Sequence, residues 1–197
     1  MTWVAFDRAA ENGNMTGRAR GRYRRIADRI HKDILAKGLD KKRGCFVQSY
    51  GSDRLDASLL LLPLVGFLPA KDRRIKKTVR EIEKRLLRKG LVLRYETETG
   101  VDGLPPGEGA FLACSFWLAD NYLLLGRIKD ARRLFTRLKK LANDVGLFAE
   151  EYDPATRSFL GNFPQGFSHV ALINTALGLM VQEQKRGKKI RKAIVRY

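Results

Sequence analysis

The 197-residue sequence predicts an all-α fold whose helices lie in two concentric layers. Three observations predict it. Apolar residues recur at helical spacing along nearly the whole chain. The segments they mark are of two kinds, one apolar along a single stripe and one apolar on almost every side. The two kinds alternate, with long connections leading into the all-apolar helices and short turns leading out. A simple bundle would give every helix a polar face; this alternation places apolar helices inside a wrapping of amphipathic ones.

In order, Trp3–Ala10 opens the chain as a short apolar helix. Tyr23, Ile26, Ile30 and Ile34 then form the apolar stripe of a heavily basic helix over 17–37. Leu55–Leu68 is apolar nearly all round. Ile75, Val79, Ile82 and Leu86 mark an amphipathic helix over 71–89. Ala110–Leu125 is the second all-apolar helix, with Phe111, Leu112, Phe116, Trp117, Leu118 and Tyr122. Ile128, Ala131, Leu134, Leu138 and Leu141 mark the next amphipathic helix, over 128–143. Phe167–Val181 is the last all-apolar one. No strand is predicted beyond one extended piece at Val92–Tyr95.

The length fits one domain, and 44% hydrophobic residues supply a core. The longest apolar run, Leu59–Leu68, is shorter than the roughly 18 residues a membrane span needs, and it contains Pro63 and Gly66. The opening MTWVAFDRAAENG lacks a basic segment followed by an apolar stretch, so no secretory signal is read there. Cys45 and Cys114 are then expected as reduced core thiols, and the location as cytoplasmic. The net charge of +18 is concentrated in two places. Residues 18–43 hold eleven Lys and Arg against three acids, and the tail from Lys185 to Tyr197 holds seven with no acid. Aromatics do not interleave with these basic residues and no nucleic-acid-binding motif is present. A solvated helix face and a basic terminus are therefore expected, and nucleic acid is not an expected partner.

The acids lie elsewhere. The three long connections are Gln48–Asp56, Arg94–Gly109 and Ala149–His169. Together they hold nine acids (Asp53, Asp56, Glu96, Glu98, Asp102, Glu108, Glu150, Glu151, Asp153) and three basic residues (Arg54, Arg94, Arg157). In concentric layers these connections emerge at one end, where sites are usually built. An acidic mouth repels phosphates. It suits a neutral polyhydroxylated ligand, which carboxylates, amides, Arg and aromatic rings all serve. No spacing of His, Cys or Asp fits a metal, and no cofactor is expected. Helix capping is the other role open to Asp56 and Glu108.

The segments QSYGSDRLDASLLLLPLVGFL, LRYETETGVDGLPPGEGAFLACSFWLADNYLLLGR and GLFAEEYDPATRSFLGNFPQGFSHVALI resemble, in the same order, the C-terminal part of glycoside hydrolase family 15. That family includes glucoamylases and some trehalases, and the resemblance spans residues 1–182. It implies an (α/α)6 toroid, of which about seven of the twelve helices are expected here, forming a partial domain over 1–184 followed by the basic tail 185–197. It also implies inverting hydrolysis of an α-glucoside, either a malto-oligosaccharide or trehalose. By resemblance Glu150 is the general base, and Arg94, Tyr95, Glu108, Glu151 and Tyr152 are substrate-binding residues. A structural salt bridge is the other role open to Arg94. The family's general acid lies in a Trp-Glu motif N-terminal to the segment at which this sequence opens. An open ring with exposed flanks on its inner helices is therefore expected, completed by a second chain. The alternative function is a non-catalytic carbohydrate-binding or subunit-like remnant.

Overall fold

The computed structural model describes residues 1–96 and 109–194, with side chains as far as Lys185. Among the described residues the chain forms α1 (Thr2–Glu11), α2 (Gly17–Lys37), α3 (Leu61–Leu64), α4 (Arg73–Arg85), α5 (Leu112–Leu124), α6 (Ile128–Lys139) and α7 (Gly166–Ile194). Helices α2, α4 and α6 are the expected amphipathic ones. Thr16 caps α2 by accepting from Ala19 N, and Asp72 caps α4 by accepting from Arg74 N, each satisfying a helix-terminal N–H. Helix α5 is the centre of the core. Ten of its thirteen residues are buried, as an all-apolar helix requires. It packs against α6, α7, β4 and the turn before α3. Phe116 on α5 meets the rings of Phe135 from α6 and Phe148 from the connection that follows.

The short turns out of the inner helices share one device. After α3, Phe67 N bonds to Leu62 O and Gly66 N to Pro63 O; after α5, Arg127 N bonds to Tyr122 O and Gly126 N to Leu123 O. Gly66 (φ 80°) and Gly126 (φ 77°) take the left-handed conformation that this C-cap needs.

Three expectations are corrected. The helix predicted over Leu55–Leu68 is a 3₁₀ turn (Ala57–Leu60) and a single α turn, because Asp56 caps it late and the Gly66 cap ends it early. The opening helix forms, but it buries only Asp7 and Ala10, with Asp7 ion-paired to Arg8 and Arg24. Strands are present: β1 (Leu39–Asp40) with β2 (Cys45–Phe46), β3 (Leu87–Arg88) with β4 (Leu91–Val92), and β5 (Ala110–Phe111), β6 (Glu151–Asp153) and β7 (Ser158–Leu160) in one antiparallel sheet. Two or three residues are too few to print a period-two pattern. The β3–β4 turn left a different sign, Lys89-Gly90, both at positive φ as a two-residue hairpin turn requires. Cys45 and Cys114 are free and buried, as expected.

Helix α7 packs on α5 and α6 through one side. Its other side leaves Phe167, Val170, Ile173, Leu177, Met180 and Val181 about half exposed, from 47% to 55%. These positions recur every three or four residues, so they form one apolar stripe. The exposed flank expected of an open ring is therefore present on α7.

Candidate active site

The N-terminus of α5 organises the site. Leu112 N, at its first turn, donates to Glu150 O at 3.0 Å. On the other side Glu150 N donates to Asn162 O at 2.9 Å, so the Glu150 backbone is held between α5 and the chain leaving β7. The residues before Glu150 are stitched to the start of α7. Gln165 N donates to Phe148 O at 2.8 Å and Ser168 Oγ donates to Ala149 O at 2.9 Å. His169 donates from Nδ1 to Gln165 O at 2.8 Å and accepts from Phe148 N through Nε2 at 3.4 Å, contacts that require the Nδ1–H tautomer.

Among the described residues, the Glu150 carboxylate is held by Asn162. Its Oε2 accepts from Asn162 N at 3.1 Å and from Asn162 Nδ2 at 2.8 Å. The residue before, Gly161, is at φ 72°, and a Cβ there would lie 2.9 Å from Glu150 Oε2 and 3.0 Å from its Cβ. Glu151 follows on β6. Successive strand side chains point to opposite faces, and Glu151 accordingly turns to the β5 side, where its Oε2 accepts from Gly109 N at 3.0 Å. Tyr152 pairs with Ala110 and Phe159 in the sheet and meets the Phe159 ring edge-on at 6.1 Å.

Arg94 and Tyr95 arrive from the β4 side. Arg94 O accepts from Ala57 N at 2.7 Å, which ties the second long connection to the first. The Arg94 guanidinium lies 5.8 Å from the Tyr95 ring centroid, and its Nε stands 3.8 Å from Asp56 Oδ2. Its side chain is 56% exposed. Asp56 Oδ1 also accepts from Ser58 N at 2.7 Å, the capping role left open for it. The convergence registers on Cys114, inside α5. Burial pushes its thiol well above the usual range, Asp56 and Glu151 add to that, and Arg94 opposes it.

Two other acids of these connections have local duties. Glu96 is paired with Arg85, whose guanidinium holds its carboxyl below the usual range. Asp153 accepts from Thr156 Oγ1 and Ala155 N, which also lowers its carboxyl and closes the β6–β7 turn. Glu98, Asp102 and Glu108 lie outside the described residues. Two residues that sequence reasoning passed over belong to the site, Gly161 and Asn162. Their signal was the Gly-Asn pair just before the helix, which reads as generic loop composition until Glu150 is placed beside it. Among the described residues no group of three or more His, Cys, Asp and Glu is arranged to hold a metal.

Helices in an inner and an outer layer, with carboxylates and an arginine gathered on loops at the N-terminus of an inner helix, define part of an all-α helical toroid. The chain belongs to glycosyl hydrolases family 15, whose description matches residues 1–177. The trehalase of Mycolicibacterium smegmatis is 46% identical over 187 residues, which cover 94% of this chain and 28% of the relative. The trehalase of Thermoplasma acidophilum is 41% identical over 193 residues, covering 96% of this chain and 33% of the relative. The chain thus spans about a third of the length of these relatives. A solved wild-type glycosidase shares the fold at TM-score 0.71 and 23% identity, over 83% of this chain and 46% of that one. A variant glycosidase solved in complex with glucose matches at TM-score 0.70 and 23% identity over the same shares.

Proposed function

We propose that this chain carries the general-base half of an inverting α-glucosidase of the trehalase type, with trehalose as substrate. Glu150 removes a proton from a water molecule as the water oxygen bonds to the anomeric carbon. The glycosidic C–O bond breaks on the opposite face, and a carboxylic acid protonates the departing sugar oxygen. Arg94, Tyr95, Glu108, Glu151 and Tyr152 form the subsite around the glucosyl unit, with the exposed Arg94 guanidinium as a directional donor to its hydroxyls. The acid comes from polypeptide outside residues 1–197. That polypeptide packs on the α7 stripe and completes the ring. Residues 1–184 are the partial toroid and 185–197 a basic extension.

The observation that carries this reading is the Glu150 carboxylate, fixed through Oε2 while, among the described residues, Oε1 has no hydrogen-bond partner. The trehalases among the relatives favour trehalose over malto-oligosaccharides. The reading separates two catalytic roles that a substrate can separate as well. Fluoride leaves without protonation, so α-D-glucosyl fluoride needs the base alone. The chain by itself is expected to release fluoride from it, to lose that release in Glu150→Gln, and to leave trehalose and maltose nearly untouched. A general acid is worth about 10²–10⁴-fold, which sets the size of that contrast. Fluoride release that survives Glu150→Gln would overturn the assignment of the base. Glucose binding without any fluoride release would mark the chain as a sugar-binding subunit instead.

A further inference from the structure

We infer that Asn162 is a positioning residue for the general base, and that with Gly161 it forms a seat that commits Glu150 Oε1 to the proton transfer. The inference rests on the base assignment above. The geometry is unusually concentrated. Asn162 makes three hydrogen bonds to Glu150: its carbonyl takes the Glu150 N–H, and its own N–H and Nδ2 both donate to Oε2. A carboxylate with free χ angles would present either oxygen in many orientations. Two donors on one oxygen remove that freedom and fix the plane of the group. The seat is closed from below by Gly161, where any side chain would push into the Glu150 Cβ and Oε2. The positive φ of Gly161 turns the chain so that the next N–H faces the carboxylate.

The arrangement divides the two oxygens by task. Oε2 is held by the protein. Oε1 takes the proton from water and becomes the hydroxyl of a neutral carboxylic acid, and the proton is later returned to solvent. A base must stand within hydrogen-bond reach of the water it activates, and a displacement of about 1 Å costs on the order of a hundredfold in rate.

The test uses α-D-glucosyl fluoride with the whole chain. Asn162→Ala removes Nδ2 and keeps the backbone donor. It is expected to lower kcat about tenfold to a hundredfold with little change in KM, since it disturbs a group that acts in the transition state. Asn162→Asp keeps the shape but replaces the Nδ2 donor with an acceptor oxygen, so it is expected to lower kcat at least as far, again with little change in KM. A merely structural role would lower the amount of folded protein and leave kcat per folded molecule in place. If Glu150→Gln abolishes release while Asn162→Ala and Asn162→Asp keep the wild-type kcat, the seat is wrong and the base assignment stands. If Glu150→Gln has no effect, the base assignment fails and the seat fails with it.

Discussion

Asp120 shows what a single residue in an inner helix contributes. It sits on α5 beside α7, and burial raises its carboxyl to about 6, with the Thr175 hydroxyl pulling the other way. The folded chain therefore binds this proton more tightly than the unfolded chain does. Its contribution to stability is fully present below the unfolded value near 4 and is lost as pH rises through about 6. Asp120→Asn keeps a partner for Thr175 and removes the charge. The variant should match wild type at pH 4 and be more stable at pH 7 by roughly 1–3 kcal/mol. Denaturant unfolding of both proteins at the two pH values measures the difference, and equal stabilities at pH 7 would contradict it. Residues such as Asp120, Gly161 and Asn162 were invisible in the sequence for one reason. Each gains its meaning from a neighbour on another element, and a helical or loop pattern carries no record of that neighbour. Glu150 stood out because an acid-rich loop in a basic chain is a local property, and Arg94 because the sequence around it resembles the family's motif.

At the scale of elements, the alternation of helices was legible because burial on all sides leaves an all-apolar segment. Helix α5 follows that rule and α7 follows it on one side only, since among its described residues six apolar side chains stay about half exposed. The small sheets were not legible, yet they decide where the site residues lie, because β5, β6 and β7 carry Tyr152 and Glu151 past the start of α5. Side-chain hydrogen bonds fasten such short strands to the helices. Ser115 Oγ on α5 accepts from the buried Val92 N at 2.8 Å, and Thr78 Oγ1 on α4 accepts from the buried Phe46 N at 2.9 Å while donating to Arg74 O. Ser115→Ala leaves the Val92 N–H buried with no acceptor. The expected cost is about 1–3 kcal/mol, more than loss of a typical net hydrogen bond, because the desolvation of the donor is no longer offset. Thermal unfolding should show it as a lower Tm. A Tm equal to wild type would mean that the β4 backbone finds another acceptor.

The whole molecule is set by the mismatch between what α7 exposes and what a helix in water tolerates. Its six half-exposed apolar residues form one continuous stripe, whereas scattered single residues would need no explanation. The stripe belongs to a helix of the inner layer, and the relatives and the solved glycosidases extend well beyond the part this chain matches. Burial of such a stripe by the rest of the toroid fits both facts. None of the described helices is long and apolar enough to cross a membrane. In the absence of the covering polypeptide, copies of the chain are expected to bury the stripe against one another. Light scattering on the purified chain should then give a mass above that of one copy, rising with concentration. Ile173→Asp places a charge at the centre of the stripe, where desolvation is costly in any contact. It should return the mass to that of one copy while circular dichroism keeps its helical signal, because Ile173 is 54% exposed and stands outside the core formed by the described residues. A single-copy mass for the unsubstituted chain at every concentration would show that the stripe is tolerated in water. The proposed completion of the ring would then lose its driving force on this helix.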